Sequence, residues 1–136
     1  MFGYNLVALV AVLSLALYFY MIIRVGQGRA KYGIQAPATT GNPDFERIYR
    51  VHQNTLEGLV VYLPSLYMFA TYVHPYIAAA LGALWIVGRY VYMEGYIEAA
   101  DKRSAGFGIQ ALATLALLLG SLVGIVWTML GIGSIL

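Results

Sequence analysis

The chain has 136 residues, of which 61% are hydrophobic and 10% are charged, and its formal net charge is +2. A soluble domain carries roughly 25% charged residues, so the composition excludes an ordinary globular protein and predicts an all-α integral membrane protein. The eight basic residues give no basic excess on a soluble face, which excludes a nucleic-acid binder. The absence of cysteine excludes disulfides and thiolate metal sites.

The first half of the chain predicts two membrane helices joined by a polar loop. Residues 2–23 carry no charge and are long enough to cross a hydrocarbon layer of about 30 Å. They do not fit a secretory signal, because no basic residues precede them and the apolar run is too long. A loop rich in Gly, Pro and Thr follows over 24–45, and Asn42-Pro43 within it is a helix-start signal. The second helix combines a polar extension, 43–57, with an apolar span, 56–72.

The second half of the chain predicts two further membrane helices. His74-Pro75 marks a turn so short that the second and third helices must be antiparallel neighbours. The third span covers 76–92 and continues as a polar helical extension over 89–104, and a short connection then leads to a fourth span, 108–132. We therefore expect one domain, residues 1–136, folded as a bundle of four transmembrane helices.

The positive charges predict how this bundle lies in the membrane. All eight Lys and Arg residues fall in the first and third loops and the helix extensions beside them. The positive-inside rule places these two loops in the cytoplasm and both termini outside. With short termini and no evident retention signal, we expect a multi-pass protein of a bacterial inner membrane.

Polar residues recur at helical spacing in the extension of the second helix. Four of them share one face, because they are spaced i, i+3, i+7 and i+10: Arg47, Arg50, Asn54 and Glu57. Glu57 lies deepest in the apolar stretch, and an ionisable group at such depth indicates a functional site by default. A purely structural ion pair of Glu57 with Arg50 or Arg89, which would hold the helices together, would also explain a charged residue at this depth.

A second stripe of polar residues lies on the extension of the third helix. Its members are spaced i, i+3, i+7 and i+14: Arg89, Tyr92, Tyr96 and Arg103. Tyrosines at a membrane boundary commonly form an interfacial belt, but the arginine at each end of the stripe favours a binding role. Because Arg pairs bidentately with carboxylates, the two stripes together suit an anionic, flexible ligand with several carboxylates.

No metal site is predicted. His52 and His74 fall on opposite sides of the membrane, and HExxH, CxxC and carboxylate clusters at ligand spacing are absent. P-loop, GxSxG and GxGxxG contexts are absent too.

Two runs of residues resemble a known family. FERIYRVHQNTLE before an apolar span that contains Pro64, and GRYVYMEGYIEAADKR before the last span, are similar to the MAPEG family (membrane-associated proteins in eicosanoid and glutathione metabolism). The resemblance covers essentially the whole chain. It is closest to the branch that holds the type-two microsomal glutathione transferase and leukotriene C4 synthase.

The resemblance implies a homotrimer of four-helix subunits that binds glutathione as co-substrate between neighbouring subunits, without a metal. By position, the residues that would hold glutathione are Arg29, Arg50, Asn54, Glu57, Arg89, Tyr92 and Tyr96. Arg103 would be the catalytic residue, since it would face the sulfur, and a nearby cation lowers the pKa of a thiol. Two positions depart from the leukotriene C4 synthase pattern, with Gly58 in place of a tyrosine and Ala30 in place of a second arginine. His52 replaces the more usual glutamine.

We therefore expect a membrane glutathione transferase that joins the glutathione thiolate to a lipophilic electrophile arriving from the surrounding lipid. The sequence does not name the electrophile, and it leaves open whether the protein also reduces lipid hydroperoxides as a peroxidase. The alternatives are a non-catalytic lipid-binding scaffold like the five-lipoxygenase-activating protein, a proton-coupled multidrug exporter, and a structural subunit of a larger complex. Arg103 argues against the scaffold, because a scaffold needs no cation to stabilise a thiolate. The exporter mechanism needs an acidic residue within the membrane, commonly in the first helix, and residues 2–23 contain none.

Overall fold

The computed structural model describes residues 1–133 and 135–136, and these are helical apart from short connections and the C-terminal end. Four α-helices follow in chain order, with a 3₁₀ helix, Ala100–Arg103, before the last: α1 Phe2–Tyr32, α2 Pro43–Tyr72, α3 Pro75–Glu98 and α4 Ser104–Met129. Helices α1 and α4 each pack against both α2 and α3. The described residues thus form an all-helical bundle, as the sequence predicts.

The exterior of the bundle is that of a membrane protein. Among the described residues, three helical segments are long and apolar enough to cross a membrane: α1, α3 and Ala100–Met129. Only 22% of the most apolar 18 residues of α1 are buried within the chain, so most of its apolar side chains face outward, where lipid would solvate them. Helix α2 is not among these segments, because its first half carries several charges, Glu57 among them, and its second half contains Pro64 and several Ser, Thr and Tyr residues. A fourth span through α2 stays a prediction.

The start of α2 is where the sequence predicts it. The side-chain oxygen of Asn42 accepts hydrogen bonds from the backbone N–H groups of Asp44 at 2.9 Å and Phe45 at 3.1 Å, and Pro43 is the first helical residue. His74 caps α3 in the same way ahead of its own proline. These caps fix the start of the polar half of α2 and the short turn between α2 and α3.

Helix α1 is longer than predicted. The loop expected over 24–45 is helical as far as Tyr32. A tertiary contact that the local sequence does not reveal holds these extra turns, because Arg24 Nη1 of α1 pairs with Glu94 Oε1 of α3 at 2.7 Å. The connection to α2 is correspondingly short.

Helix α3 is shorter than predicted. The polar extension expected over 89–104 stops at Glu98, because Ala99 adopts an extended conformation (φ −161°, ψ 141°) and the chain resumes as the 3₁₀ helix. The residues expected to connect the last two helices, 104–108, instead form the first turns of α4. Arg103 is therefore not on the same helix as the other members of its predicted stripe.

Helices α3 and α4 touch backbone to backbone near the polar end of the bundle. A Cβ added at Gly106 of α4 would lie 2.1 Å from the backbone nitrogen of Tyr92, and one added at Gly88 of α3 would lie 2.6 Å from that of Gln110. No side chain fits at either position, and small residues commonly allow membrane helices to approach this closely. This contact brings Arg103, which directly precedes α4, to the side of α3.

The core lies in the apolar half of the bundle. The Tyr62 ring stacks on Trp85 with centroids 4.0 Å apart, and the Tyr62 hydroxyl hydrogen-bonds Ser14 Oγ at 2.8 Å. All three side chains are fully buried. The stack and the hydrogen bond join α1, α2 and α3 in the buried interior, where an unpaired hydroxyl would be costly.

Candidate functional site

A polar pocket opens where the polar ends of the helices meet. Its volume is about 420 Å³, which is within the range of small-molecule sites. The residues that line it come from the first loop, the polar half of α2, the end of α3, the 3₁₀ helix and the start of α4: Thr39, Thr40, Glu46, Tyr49, Arg50, Gln53, Asn54, Glu57, Tyr92, Tyr96, Arg103 and Phe107. We call this cavity the polar pocket.

The structure brings six of the eight predicted site residues together in the polar pocket. They are contributed by three different elements, namely α2, α3 and the 3₁₀ helix: Arg50, Asn54, Glu57, Tyr92, Tyr96 and Arg103. The remaining two, Arg29 and Arg89, are not part of its lining.

Helix α2 presents one continuous polar face to the pocket. Arg50 and Glu57 are exposed, and Asn54 between them is half-buried. Arg47 belongs to the predicted stripe but turns away, because its Nε donates to the carbonyl oxygen of Ile97 at 3.2 Å and its Nη2 pairs with Asp44. Arg47 therefore ties α2 to the end of α3 and does not line the pocket.

Arg103 lies against the tyrosines of α3. The rings of Tyr92 and Tyr96 meet edge to face with centroids 5.6 Å apart, and the Arg103 guanidinium lies 5.4 Å from the centre of the Tyr96 ring. One of its nitrogens, Nη1, donates to the carbonyl oxygen of Ala100 at 2.8 Å. Arg103 makes no ion pair with a described residue, so its charge is available to an anion in the pocket.

Glu57 is an exposed carboxylate of the pocket. The ion pair with Arg50 or Arg89 that would have explained it structurally is not formed in the described part of the chain. Together with Arg50 and Arg103, it gives the pocket charges of both signs. Such a set suits a ligand that carries both carboxylates and an ammonium group. No cluster of His, Cys, Asp or Glu that could hold a metal ion occurs among residues 1–133 and 135–136.

Arg29 does not face the polar pocket of its own chain. Its Nη1 donates to the carbonyl oxygen of Ala38 at 2.7 Å, and its guanidinium lies 5.2 Å from the centre of the Phe45 ring. These contacts fasten the first loop onto the start of α2. Within one chain, Arg29 is an anchor of that loop.

A second cavity, of about 380 Å³, continues from the polar pocket between α2 and α4. The two cavities share Asn54, Glu57 and Phe107, which we call the junction. Beyond the junction the walls are mostly apolar, with α2 and α4 contributing Val61, Ala111, Leu115 and Leu118. We call this second cavity the apolar groove.

Arg89 lies in the apolar groove and not in the polar pocket. It is 2% exposed, its Nη1 donates to Asn54 Oδ1 at 2.8 Å, and its guanidinium lies 4.9 Å from the centre of the Tyr92 ring. The described residues offer it no carboxylate at ion-pair distance. It is a buried cation held by an amide and aromatic rings.

Half of the polar pocket lining is not predicted from the sequence: Thr39, Thr40, Glu46, Tyr49, Gln53 and Phe107. Helical spacing could have predicted two of these residues. Glu46 lies four residues before Arg50 and Gln53 three residues after it, so both share its helix face. Phe107 enters the pocket only because α4 already begins at Ser104. The two threonines lie in a loop, where no periodicity predicts which way a side chain points.

Comparison with known proteins finds one matching family and relatives that align with most of the chain. Residues 7–123 match the sequence model of the MAPEG family. The chain is 51% identical to an uncharacterized protein of Synechocystis sp. over 88% of each chain. It is 42% identical to microsomal glutathione S-transferase 2 of Homo sapiens over 85% of this chain and 81% of that protein. It is 34% identical to leukotriene C4 synthase of Cavia porcellus over 83% of this chain and 81% of that protein.

Proposed function

This chain belongs to the MAPEG family, and from that premise we propose that it is a membrane-bound glutathione transferase. The proposed reaction joins the glutathione thiolate to a lipophilic electrophile. The observation that carries the proposal is that the polar pocket and the apolar groove meet at the junction of Asn54, Glu57 and Phe107. A water-soluble thiol and an acceptor dissolved in lipid can each reach this junction from its own phase.

The charges of the polar pocket are complementary to those of glutathione, which carries two carboxylates and one ammonium group. In the proposal, Arg50 binds a carboxylate and Glu57 binds the ammonium group. Asn54, Tyr92 and Tyr96 supply hydrogen-bonding groups for the peptide between them.

Arg103 is the proposed catalytic residue. Its guanidinium lies over Tyr96 at the edge of the polar pocket and makes no ion pair with a described residue. Placed beside the glutathione sulfur, it stabilises the thiolate and so lowers the pKa of the thiol, whose proton goes to water. The thiolate then forms a bond to the electrophilic atom and displaces a leaving group or opens a multiple bond.

We also propose that the protein assembles as a homotrimer and binds glutathione between neighbouring subunits. Arg50, Glu57 and Arg103 are exposed in the single chain, so a neighbouring subunit would cover the open side of the pocket. Arg29 does not reach the pocket of its own chain, and it would meet a glutathione carboxylate only across such an interface.

The same thiolate would serve a peroxidase reaction with a lipid hydroperoxide. The sulfur attacks the terminal peroxide oxygen, the O–O bond breaks, and the lipid alcohol leaves after protonation. A second glutathione then converts the sulfenic acid into glutathione disulfide and water.

We propose that glutathione enters from the cytoplasmic face of a bacterial inner membrane, where the first and third loops would lie.

Two arginines on α2, three residues apart, provide the test. Arg50 lines the polar pocket, whereas Arg47 is bound to Asp44 and Ile97 outside it. In a conjugation assay with chlorodinitrobenzene, Arg50→Ala should raise the KM for glutathione about tenfold to a hundredfold, the loss expected of a hydrogen bond to a charged group. Arg47→Ala should leave that KM within about twofold, because it removes no pocket contact.

Two results would count against the proposal. If the wild-type protein forms no conjugate, the lipid-binding scaffold becomes the better account. If Arg47→Ala raises the KM as much as Arg50→Ala while both variants keep their thermal unfolding midpoint, the polar pocket is not the glutathione site.

A further inference from the structure

The apolar groove has two buried polar side chains in its lining. Arg89 is 2% exposed and Gln110 is 5% exposed, and both line the groove. Away from the junction their neighbours in the lining are largely apolar, among them Val61, Leu115 and Leu118. Donors buried among apolar side chains raise the free energy of the protein unless an acceptor satisfies them.

Neither side chain is fully satisfied within the chain. Arg89 Nη1 donates to Asn54 Oδ1 at 2.8 Å and lies 3.5 Å from Thr55 Oγ1, but its Nε has no hydrogen-bond partner among the described residues. The backbone carbonyl of Gln110 accepts from the Thr114 hydroxyl at 2.9 Å. The side-chain amide of Gln110 makes no hydrogen bond in the part of the chain that the structure describes. The Nε atom is closed off from the groove, but Arg89 Nη2, which lies beside the groove residue Gly58, and the Gln110 amide are not among the fully buried unpaired atoms of the described residues. An acceptor that enters the groove can therefore reach both of them.

The backbone contact between α3 and α4 places these two side chains at the same level of the bundle. Gly88, which directly precedes Arg89, packs on the backbone of Gln110 at the contact described above. On the facing helix, a Cβ added at Gly58 would lie 2.7 Å from Arg89 Nη2. The guanidinium therefore fills the space that a side chain at position 58 would need.

The expected acceptor is a neutral oxygen. Glu57 lines the groove as well, and its carboxylate would repel the carboxylate of a fatty acid at the same level. A carbonyl oxygen meets no such repulsion when it binds, and it gains negative charge only as the reaction proceeds. A cation and an amide that are already in place stabilise that charge without reorganisation.

We propose that Arg89 and Gln110 bind the carbonyl oxygen of an α,β-unsaturated aldehyde or ketone whose chain lies along the apolar groove. This inference rests on the proposed transferase function and names its substrate class. The glutathione sulfur at the junction forms a C–S bond to the β carbon, and the electrons of the C=C double bond move onto the carbonyl oxygen to give an enolate. The α carbon then takes a proton from water, which balances the proton that the thiol released.

Two acceptors of equal chain length test the inference, namely 2-nonenal, which carries the carbonyl, and iodononane, which carries no oxygen and releases iodide. The variant Gln110→Met replaces an unpartnered amide with an unbranched apolar side chain of similar length. We expect it to lower kcat/KM for nonenal about a hundredfold to a thousandfold, the usual cost of losing a donor to a developing oxyanion. The rate with iodononane should stay within about twofold, because packing in the groove is kept.

A second variant and a control accompany this measurement. Gly58→Ala forces the Arg89 guanidinium to move, and it should cause the same selective loss with nonenal. Gln27→Met makes the same chemical change at an exposed position of α1, and it should leave both rates unchanged. Equal losses with both acceptors, or an unchanged nonenal rate in both groove variants, would overturn the inference while the transferase function stands. A wild-type protein that conjugates chlorodinitrobenzene but not nonenal would overturn the inference alone, and one that conjugates none of the three acceptors would overturn the transferase function as well.

Discussion

Asn54 connects the stability of the bundle to the chemistry of the site. Its side-chain oxygen accepts a hydrogen bond of 2.8 Å from the buried guanidinium of Arg89, and it also lines both the polar pocket and the apolar groove. Hydrogen bonds to charged groups are worth about 1.5–3 kcal/mol, and the loss is felt most where the charge stays buried. One amide thus orients the cation of the groove and faces the proposed glutathione position.

Asn54→Ala should therefore lower the free energy of unfolding by about 1.5–3 kcal/mol, because it leaves the Arg89 guanidinium without its best partner. Thermal unfolding in detergent, followed by circular dichroism, measures this loss. The exposed neighbour Gln53 provides the control, and Gln53→Ala should change stability by no more than about 0.5 kcal/mol. Similar losses in the two variants would show that the hydrogen bond to Arg89 contributes little.

The ends of the helices decide which side chains reach the polar pocket. Helix α3 stops at Glu98, the chain turns through the 3₁₀ helix, and α4 starts at Ser104 in backbone contact with α3. This bend carries Arg103 back over Tyr96. A straight continuation of α3 would instead have taken Arg103 more than three turns beyond Arg89.

Two glycines in the first turns of α4 test how much the contact between α3 and α4 matters. A Cβ at Gly106 would meet the backbone of Tyr92, whereas a Cβ at Gly108 would meet nothing within 4 Å. Gly106→Ala should destabilise the protein by about 1–3 kcal/mol through overpacking. Gly108→Ala should stabilise it by about 0.5–1 kcal/mol, because alanine favours a helix interior. Thermal unfolding midpoints check both, and equal shifts in the same direction would contradict the observed contact.

Local signals in the sequence predict most of the helices and one face of the site. Asn42-Pro43 predicts the start of α2, and helical spacing predicts that Arg50, Asn54 and Glu57 share a face. The bend at Ala99 is not predictable in this way, because the residues around it are compatible with a continuous helix. It depends on contacts between α3 and α4, which join residues distant in the sequence. The length of α1 is not predictable either, because it too depends on a contact between residues distant in the sequence, the pair of Arg24 with Glu94 of α3.

The molecule as a whole separates a polar end from an apolar body. Several of the charged groups pair with one another at the polar end, as in the bridges Arg24–Glu94 and Lys102–Glu98 at 2.7 and 2.6 Å. The apolar side chains of α1 and α4 face outward below that end. This arrangement suits a protein whose site lies at the boundary between water and lipid. The predicted fourth span adds that α2 crosses the membrane together with the other three helices.

Single cysteines test whether the bundle has four spans, since the chain contains no native cysteine. Gln35→Cys labels the first loop and Asp101→Cys the third, and both positions are exposed. Four spans with cytoplasmic loops predict that a membrane-impermeant maleimide labels both cysteines only after the cells are permeabilised. A bundle in which α2 does not cross the membrane would place the two loops on opposite sides, so that one cysteine would react in intact cells.

The ultraviolet difference spectrum of the purified protein with glutathione tests the central claim most directly, because it reports the thiolate itself. At a pH of about 7 a free thiol, with a pKa of about 8.5, is mostly protonated. The wild-type protein should show a thiolate band, and Arg103→Ala should lose that band while it still binds glutathione. Lys102→Ala removes the neighbouring cation, which is paired with Glu98 at 2.6 Å, and it should keep the band. A thiolate band that persists in Arg103→Ala, or that disappears equally in Lys102→Ala, would contradict the role assigned to Arg103.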